Sequence, residues 1–216
     1  MKNKLLLMKL VLSTTTLLLQ GMEPDRSVQK VKKNKSYQAK TYKNNLEYPY
    51  LDAKIFQERH KAAAELIKDC PIIVEVGGGR NSMACHVGPT QKVIVIDPTI
   101  KKRDDERIIC VPKKFEEWQG LRDLQEQRYA VVILGLALKM PDHGWNKFFE
   151  MINGSELTII EYSTTYRDAK QQIKAILKNV NKTVISERIF DFSQEEELKG
   201  YDKVNPYRKM ICLGHK

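Results

Sequence analysis

The sequence predicts an α/β domain with a doubly wound, mostly parallel sheet of seven strands. A short β-branched run at residues 72–76 leads into three consecutive glycines, and a second apolar run ends in Asp97. Apolar runs then alternate with amphipathic stretches along most of the chain. Such alternation implies right-handed crossovers and parallel strands. The last two runs are joined by a polar stretch with no clear helix, so we expect the sheet to end in an antiparallel C-terminal strand.

The individual elements follow from the periodicity of the apolar residues. Strands are predicted at residues 72–76, 93–97, 108–111, 130–135, 157–162, 183–190 and 207–213. Helices are predicted at residues 52–68, 81–87, 115–126, 144–152 and 166–179. Pro71 precedes the first strand, and Asp52 can cap the first helix.

The glycine run predicts a ligand-binding turn. Gly77, Gly78 and Gly79 can adopt positive φ angles, and without a Cβ atom they let the backbone approach a ligand closely. Asn81 or Ser82 can cap the following helix, whose first amides are donors for an anion or a hydroxyl. Asp97 ends the next strand twenty positions after Gly77, where its carboxylate can accept hydrogen bonds from ribose hydroxyls.

These residues resemble the first motif of the Rossmann-like, class I S-adenosylmethionine-dependent methyltransferases. In that family the first strand commonly ends in an acid, one further residue and glycine-x-glycine, as do residues 75–79 here. The third glycine of the family pattern is Asn81 in this chain. The resemblance implies S-adenosylmethionine as the cofactor and implies that it is bound by Glu75, Gly77, Gly78, Gly79, Asp97 and Gly135. Nicotinamide-dependent oxidoreductases share the turn and the distal acid, but they usually carry an apolar residue at the position of Glu75.

The loop after the fourth strand does not identify the methyl acceptor. Residues 135–144 lack the polar and aromatic set that holds a base amine, so the resemblance favours a small molecule or a protein side chain as the acceptor. Methyl transfer needs a base only when the acceptor must lose a proton. His143, in the loop after the fourth strand, and Glu161 and Tyr162, at the end of the fifth strand, are the candidate catalytic residues. A catalytically silent methyltransferase-like binding module is the alternative.

Further side chains have two interpretations each. Tyr48, Tyr50, Arg59 and His60 could cover a cofactor as a lid, or the helix could pack on the sheet with Arg59 and His60 in solvent. Similarly, Pro112 and Phe115 could stack on adenine, or Phe115 could belong to the core.

The net charge of +10 is concentrated in the N-terminal segment. Residues 1–21 carry +3 and residues 22–45 carry +5, which leaves +2 for the remainder. We interpret residues 22–47 as a basic flexible tail, with nucleic-acid binding as a less favoured alternative. Residues 1–21 resemble an imperfect signal peptide or an amphipathic leader, which keeps export or membrane association open. Residues 48–216 form the predicted domain.

The cysteines show no metal-site spacing. Cys70, Cys85, Cys110 and Cys212 lack a CxxC pair or a histidine cluster, so no metal site is expected. Free thiols and a cofactor made in the cytoplasm favour a cytoplasmic location.

Overall fold

The structure, a computed structural model, describes residues 54–79, 82–136, 138–195 and 205–215. The predicted leader at 1–21, the basic tail at 22–47, Tyr48 and Tyr50 lie outside these residues. Within the described part of the chain, no helix is both long enough and apolar enough to cross a membrane.

The core of the fold is one sheet of seven strands, as the sequence predicts. The strands are β1 Ile72–Val76, β2 Lys92–Ile96, β3 Ile108–Val111, β4 Tyr129–Leu134, β5 Leu157–Ser163, β6 Lys182–Asp191 and β7 Tyr207–His215. Their order across the sheet is β3-β2-β1-β4-β5-β7-β6. β1 to β5 are parallel, and β7 runs antiparallel to both β5 and β6. The predicted C-terminal antiparallel strand is therefore confirmed.

Helices cover both faces of the sheet, which explains the apolar character of the central strands. Helix α1 (Lys54–Leu66) buries Ala62 and Ala63 against one face, together with Ile73, Val93 and Ile159. On the opposite face lie α2 (Asp142–Gly154) and α3 (Arg167–Asn179). Their buried side chains are Phe148, Met151, Ile152, Ala169, Ile173 and Ile176. Successive residues of a strand point to opposite faces, so each strand contributes to both clusters.

Two predicted helices are replaced by shorter turns. The helix predicted at 115–126 is wrong: the chain forms two 3₁₀ turns, Phe115–Glu117 and Arg122–Leu124, separated by Gly120. The indole of Trp118 lies over Gly120, 2.7 Å from where a Cβ atom would be, and glycine is a weak helix former, which disfavours a continuous helix through this position. The helix predicted at 81–87 is a single 3₁₀ turn, Met83–His86, which ends at Val87 before Gly88 and Pro89.

Phe115 belongs to the core. It is 5% exposed and makes an edge-to-face contact with Phe148, with ring centroids 5.6 Å apart. The proposed stacking of Phe115 on adenine is therefore wrong, because its ring packs against α2. Pro112 is exposed after β3.

Candidate functional site

The glycine turn leaves the sheet between β1 and β2. Gly77 and Gly79 have φ angles of 78° and 48°, in the left-handed region that disfavours residues with a Cβ atom. The Gly77 amide donates to the carbonyl of Ile96, 2.9 Å away, so the turn is anchored to the end of β2. A Cβ atom at Gly77 would meet no described atom within 4 Å. The turn therefore presents bare backbone beside open space.

Glu75 supports this turn from beneath. Its side chain is 1% exposed; one carboxylate oxygen accepts from the Met83 amide at 3.0 Å, and the other accepts from the Ser82 hydroxyl. A Cβ atom on Gly78 would lie 2.5 Å from the carboxyl carbon of Glu75, so a side chain there would displace that carboxyl from its hydrogen bonds. Burial raises the pKa of the Glu75 carboxyl to about 7, and the hydrogen bonds from Ser82 and Met83 oppose that shift. Contact between Glu75 and a cofactor stays a prediction.

Asp97 lies directly after β2, beside the turn. One of its carboxylate oxygens, Oδ1, accepts from the amide of Thr99 at 2.7 Å and from its hydroxyl at 2.5 Å. The other, Oδ2, lies 3.3 Å from where a Cβ atom of Gly79 would be. Among the described residues, Oδ2 has no hydrogen-bond partner. The structure thus brings Asp97 and the glycine turn together with one carboxylate oxygen available.

Glu161 lies near the carboxyl end of β5, at the same edge of the sheet as the glycine turn. Its side chain is fully buried, and Oε2 accepts from the amide of Gly135 at 2.6 Å. Arg208 of β7 donates to both carboxylate oxygens, including Nη2 to Oε2 at 2.9 Å, and Nη2 of Arg59 lies 3.6 Å from Oε2. Gly135 has a φ of 81° and also donates to the Glu161 carbonyl, 3.0 Å away. We name these three charged residues, Arg59, Glu161 and Arg208, the arginine–glutamate cluster.

The three candidate catalytic residues do not converge. Glu161 faces α1, whereas Tyr162 is 9% exposed and packs in the core on the opposite face. Burial raises the pKa of the Tyr162 phenol, so it stays protonated at neutral pH. His143 is exposed in the first turn of α2, not in a loop. Their catalytic roles stay predictions.

Arg59 and His60 are both 5% exposed, so the interpretation that they lie in solvent is wrong. The guanidinium of Arg59 lies over the Phe56 ring, 5.1 Å from its centroid, and the His60 ring lies 5.3 Å from that of His86. Burial lowers the pKa of His60 to about 3, with the nearby Arg59 charge acting in the same direction, so His60 is neutral at physiological pH.

Sequence reasoning missed Arg208. Arg208 lies on the same face of β7 as Met210 and Cys212, which are buried. A charged residue on an otherwise apolar strand face was the signal in the sequence that could have identified it. Its partner Glu161 lies 47 positions away along the chain, and only the pairing of β5 with β7 brings the two together.

The described residues also form a cavity of about 570 Å³ at the opposite edge of the sheet. It lies between the start of β4 and the end of α2, where Tyr129, Phe149 and Gly154 line it. Ligands of doubly wound sheets bind outside the carboxyl ends of the strands, so the glycine turn, and not this cavity, is the candidate site.

Comparison with solved structures agrees with this fold. The magnesium protoporphyrin IX methyltransferase from Synechocystis PCC 6803, solved with bound S-adenosylmethionine, superimposes with a TM-score of 0.51 at 10% identity, covering 80% of this chain and 86% of that one. The chain has the fold of the class I methyltransferases. No family model matches the sequence, and no curated protein matches it significantly.

Other solved structures match less well. The N-methyltransferase NodS from Bradyrhizobium japonicum WM9 gives a TM-score of 0.48 at 8% identity, covering 76% of this chain and 99% of that one. A mitomycin 7-O-methyltransferase gives 0.47 at 12% identity over 74% of this chain. The present chain spans only 54% of the length of that second protein.

Proposed function

We propose that this protein is an S-adenosylmethionine-dependent methyltransferase acting on a small molecule or a protein side chain. The observation that carries the proposal is the juxtaposition, at adjacent strand ends, of two left-handed glycines with a carboxylate oxygen of Asp97 that no described residue hydrogen-bonds. The fold adds support, since its glycine turn and acid occupy the carboxyl edge of the sheet. The structural neighbours are named for different methyl acceptors, so their names do not indicate which acceptor this protein uses.

The residues present fit this cofactor. Gly77 leaves open space beside the turn, Gly79 brings the backbone close to Asp97, and Oδ2 of Asp97 is an acceptor for ribose hydroxyls. Glu75 holds Ser82 and Met83 against β1 and so keeps the turn in shape. S-adenosylmethionine would supply a methyl group already activated on a sulfonium. The protein must then align the acceptor and exclude water.

The described side chains offer little general-base capacity at this edge. Both oxygens of the Glu161 carboxylate are engaged by two guanidinium groups and an amide, so this side chain orients its neighbours and is not directed at an acceptor. This favours an acceptor whose reacting atom is already a nucleophile at neutral pH. The same observation favours the second candidate function, a binding module that holds the cofactor without turnover.

Calorimetry with S-adenosylmethionine, S-adenosylhomocysteine and NAD tests the proposal. We expect the first two ligands to bind and Asp97→Asn to weaken both at least tenfold, about 1.4 kcal/mol or more. The reason is the loss of charge-assisted hydrogen bonds, typically worth about 1.5–3 kcal/mol each. The amide oxygen that this substitution introduces can still accept from Thr99, so the local loop is retained.

Asp123→Asn is the matched control, because this exposed carboxylate precedes β4 at the opposite edge of the sheet. Equal affinities of wild type and Asp97→Asn would remove Asp97 from the site. Preference for NAD would support an oxidoreductase instead. Cofactor binding without transfer of a labelled methyl group to any acceptor class would support the binding module.

A further inference from the structure

The arginine–glutamate cluster joins three elements at the carboxyl edge of the sheet. Arg59 comes from the middle of α1, Glu161 from the end of β5 and Arg208 from β7, where it pairs with Ser163. Their side chains are 6%, 0% and 13% exposed. The charges are therefore largely removed from water.

The charges of the cluster do not balance. Two guanidinium groups face one carboxylate, and Glu161 also accepts from the Gly135 amide. Burial lowers the pKa of Arg59 to about 10, so it remains protonated at neutral pH, while the adjacent His60 is neutral. Buried charges are normally paired, because desolvating an uncompensated charge is costly. Among the described residues, the cluster retains one excess positive charge.

One donor of the cluster is also unused. Nε of Arg59 is buried, and within the described part of the chain it has no hydrogen-bond partner. A buried donor without a partner is uncommon in native proteins. Together, the excess charge and the unused donor leave the cluster short of one anionic acceptor of hydrogen bonds.

Arg208 links this cluster to the surface. Its Nη2 lies 3.4 Å from where a Cβ atom of Gly135 would be, and Gly135 is exposed at the end of β4. The absence of a side chain at Gly135 leaves the guanidinium uncovered on that side. The cluster therefore opens, through Arg208, onto the edge where doubly wound sheets bind ligands.

We propose that Arg59 and Arg208 bind a carboxylate of the methyl acceptor, so that the acceptor is a small carboxylic acid. This inference rests on the proposed methyltransferase function. A carboxylate matches the planar fork of a guanidinium, and its single charge balances the single excess charge of the cluster. A phosphate dianion would reverse the charge of the cluster. The side chains of Arg59 and Arg208 are only 6% and 13% exposed, and this burial favours a small acid over a polypeptide.

Binding of matched acids and amides tests the proposal. The probes are benzoate, phenylacetate and indole-3-acetate, each compared with its amide by calorimetry, with and without saturating S-adenosylhomocysteine. We expect at least one acid to bind about tenfold or more tightly than its amide, because only the acid balances the charge. We expect Arg208→Gln to abolish this preference. If no acid is preferred, or if the preference survives in Arg208→Gln, the proposal is overturned.

Two further variants separate binding from folding. Arg208→Gln combined with Glu161→Gln restores the excess positive charge on Arg59, so we expect part of the preference for acids to return. Arg128→Gln is the matched control, because Arg128 makes a similar two-bond pair with Glu156 but is 65% exposed. We expect it to bind the acids as wild type does. If the double variant does not regain any preference while thermal unfolding shows that it is folded, charge balance is not the cause.

The carboxylate that the two arginines bind could also be the one on the methionine part of the cofactor. S-adenosylhomocysteine carries that group and methylthioadenosine lacks it. If Arg208→Gln weakens the first but not the second, and acids are not preferred, the cluster binds the cofactor and the acceptor proposal is overturned. If wild type does not bind S-adenosylhomocysteine, the proposed function fails, while the measurements on acids without it still decide whether the cluster is an anion site.

Discussion

Among single residues, Glu75 determines how the glycine turn is built. Its buried carboxyl holds Ser82 and Met83 and leaves no space for a side chain at Gly78. The turn therefore depends on a buried acid as much as on its glycines. Because burial raises the pKa of this acid to about 7, its protonation is coupled to folding near neutral pH.

The raised pKa of Glu75 predicts a specific pH dependence of stability. The folded pKa lies above the ordinary value of 4.5, so the stabilising effect of the protonated carboxyl is complete below pH 4.5 and is lost as pH rises to about 7. Relative to Glu75→Gln, which cannot ionise, wild type should lose about 3 kcal/mol across this window, at about 1.36 kcal/mol per pKa unit. Urea unfolding of both proteins at several pH values measures the difference.

Glu126→Gln, at an exposed position, controls for removal of any carboxylate. A difference between wild type and Glu75→Gln that stays constant from pH 4.5 to 7 would show that the Glu75 pKa is not raised. A difference that moves in favour of wild type with rising pH would mean that the fold stabilises the ionised form.

Residue spacing was sufficient to predict part of the site. Gly77, Gly79 and Asp97 follow from short-range patterns, because a glycine turn and a strand end leave local signatures. Arg208 does not, since its contact with Glu161 depends on the pairing of two strands far apart in sequence. The placement of Tyr162 could not be predicted either, because the sequence does not say which face of β5 is covered by which helix.

At the level of elements, packing explains which predicted segments form as expected. Strands with continuous apolar runs are buried on both faces, and their bounds agree with the prediction to within two residues. The segment 115–126 contains apolar residues at helical spacing, but it forms two 3₁₀ turns with Gly120, a weak helix former, between them. The apolar periodicity of this segment was therefore not sufficient to predict its backbone.

Helix α3 provides the test at this scale. Ile176 is fully buried against the sheet, whereas the adjacent Leu177 is 38% exposed. Ile176→Ala should lower the free energy of unfolding by about 2–5 kcal/mol, because it leaves a cavity in the core. Leu177→Ala should cost less than about 1 kcal/mol. Chemical unfolding of both variants checks this, and similar losses would contradict the assigned face of α3.

In the whole molecule, the sheet topology explains why both groups of site residues lie at one edge. β1, β2, β4 and β5 are parallel, so their carboxyl ends lie at the same edge of the sheet. That edge carries the glycine turn after β1, Asp97 after β2, Gly135 after β4 and the last residues of β5. The turn and Asp97 can serve the cofactor, and the arginine–glutamate cluster can serve the acceptor. The two proposals therefore assign neighbouring parts of the same edge to the two reactants.

A crystal structure of the protein with S-adenosylhomocysteine tests the central claim most directly. We predict that the ligand lies over Gly77 and Gly79, with its ribose hydroxyls within about 3.2 Å of Oδ2 of Asp97, the ordinary range for such hydrogen bonds. Its sulfur should face the end of β4. A ligand bound elsewhere, for example in the cavity beside Tyr129, or an empty edge at saturating ligand, would contradict the assignment of this site.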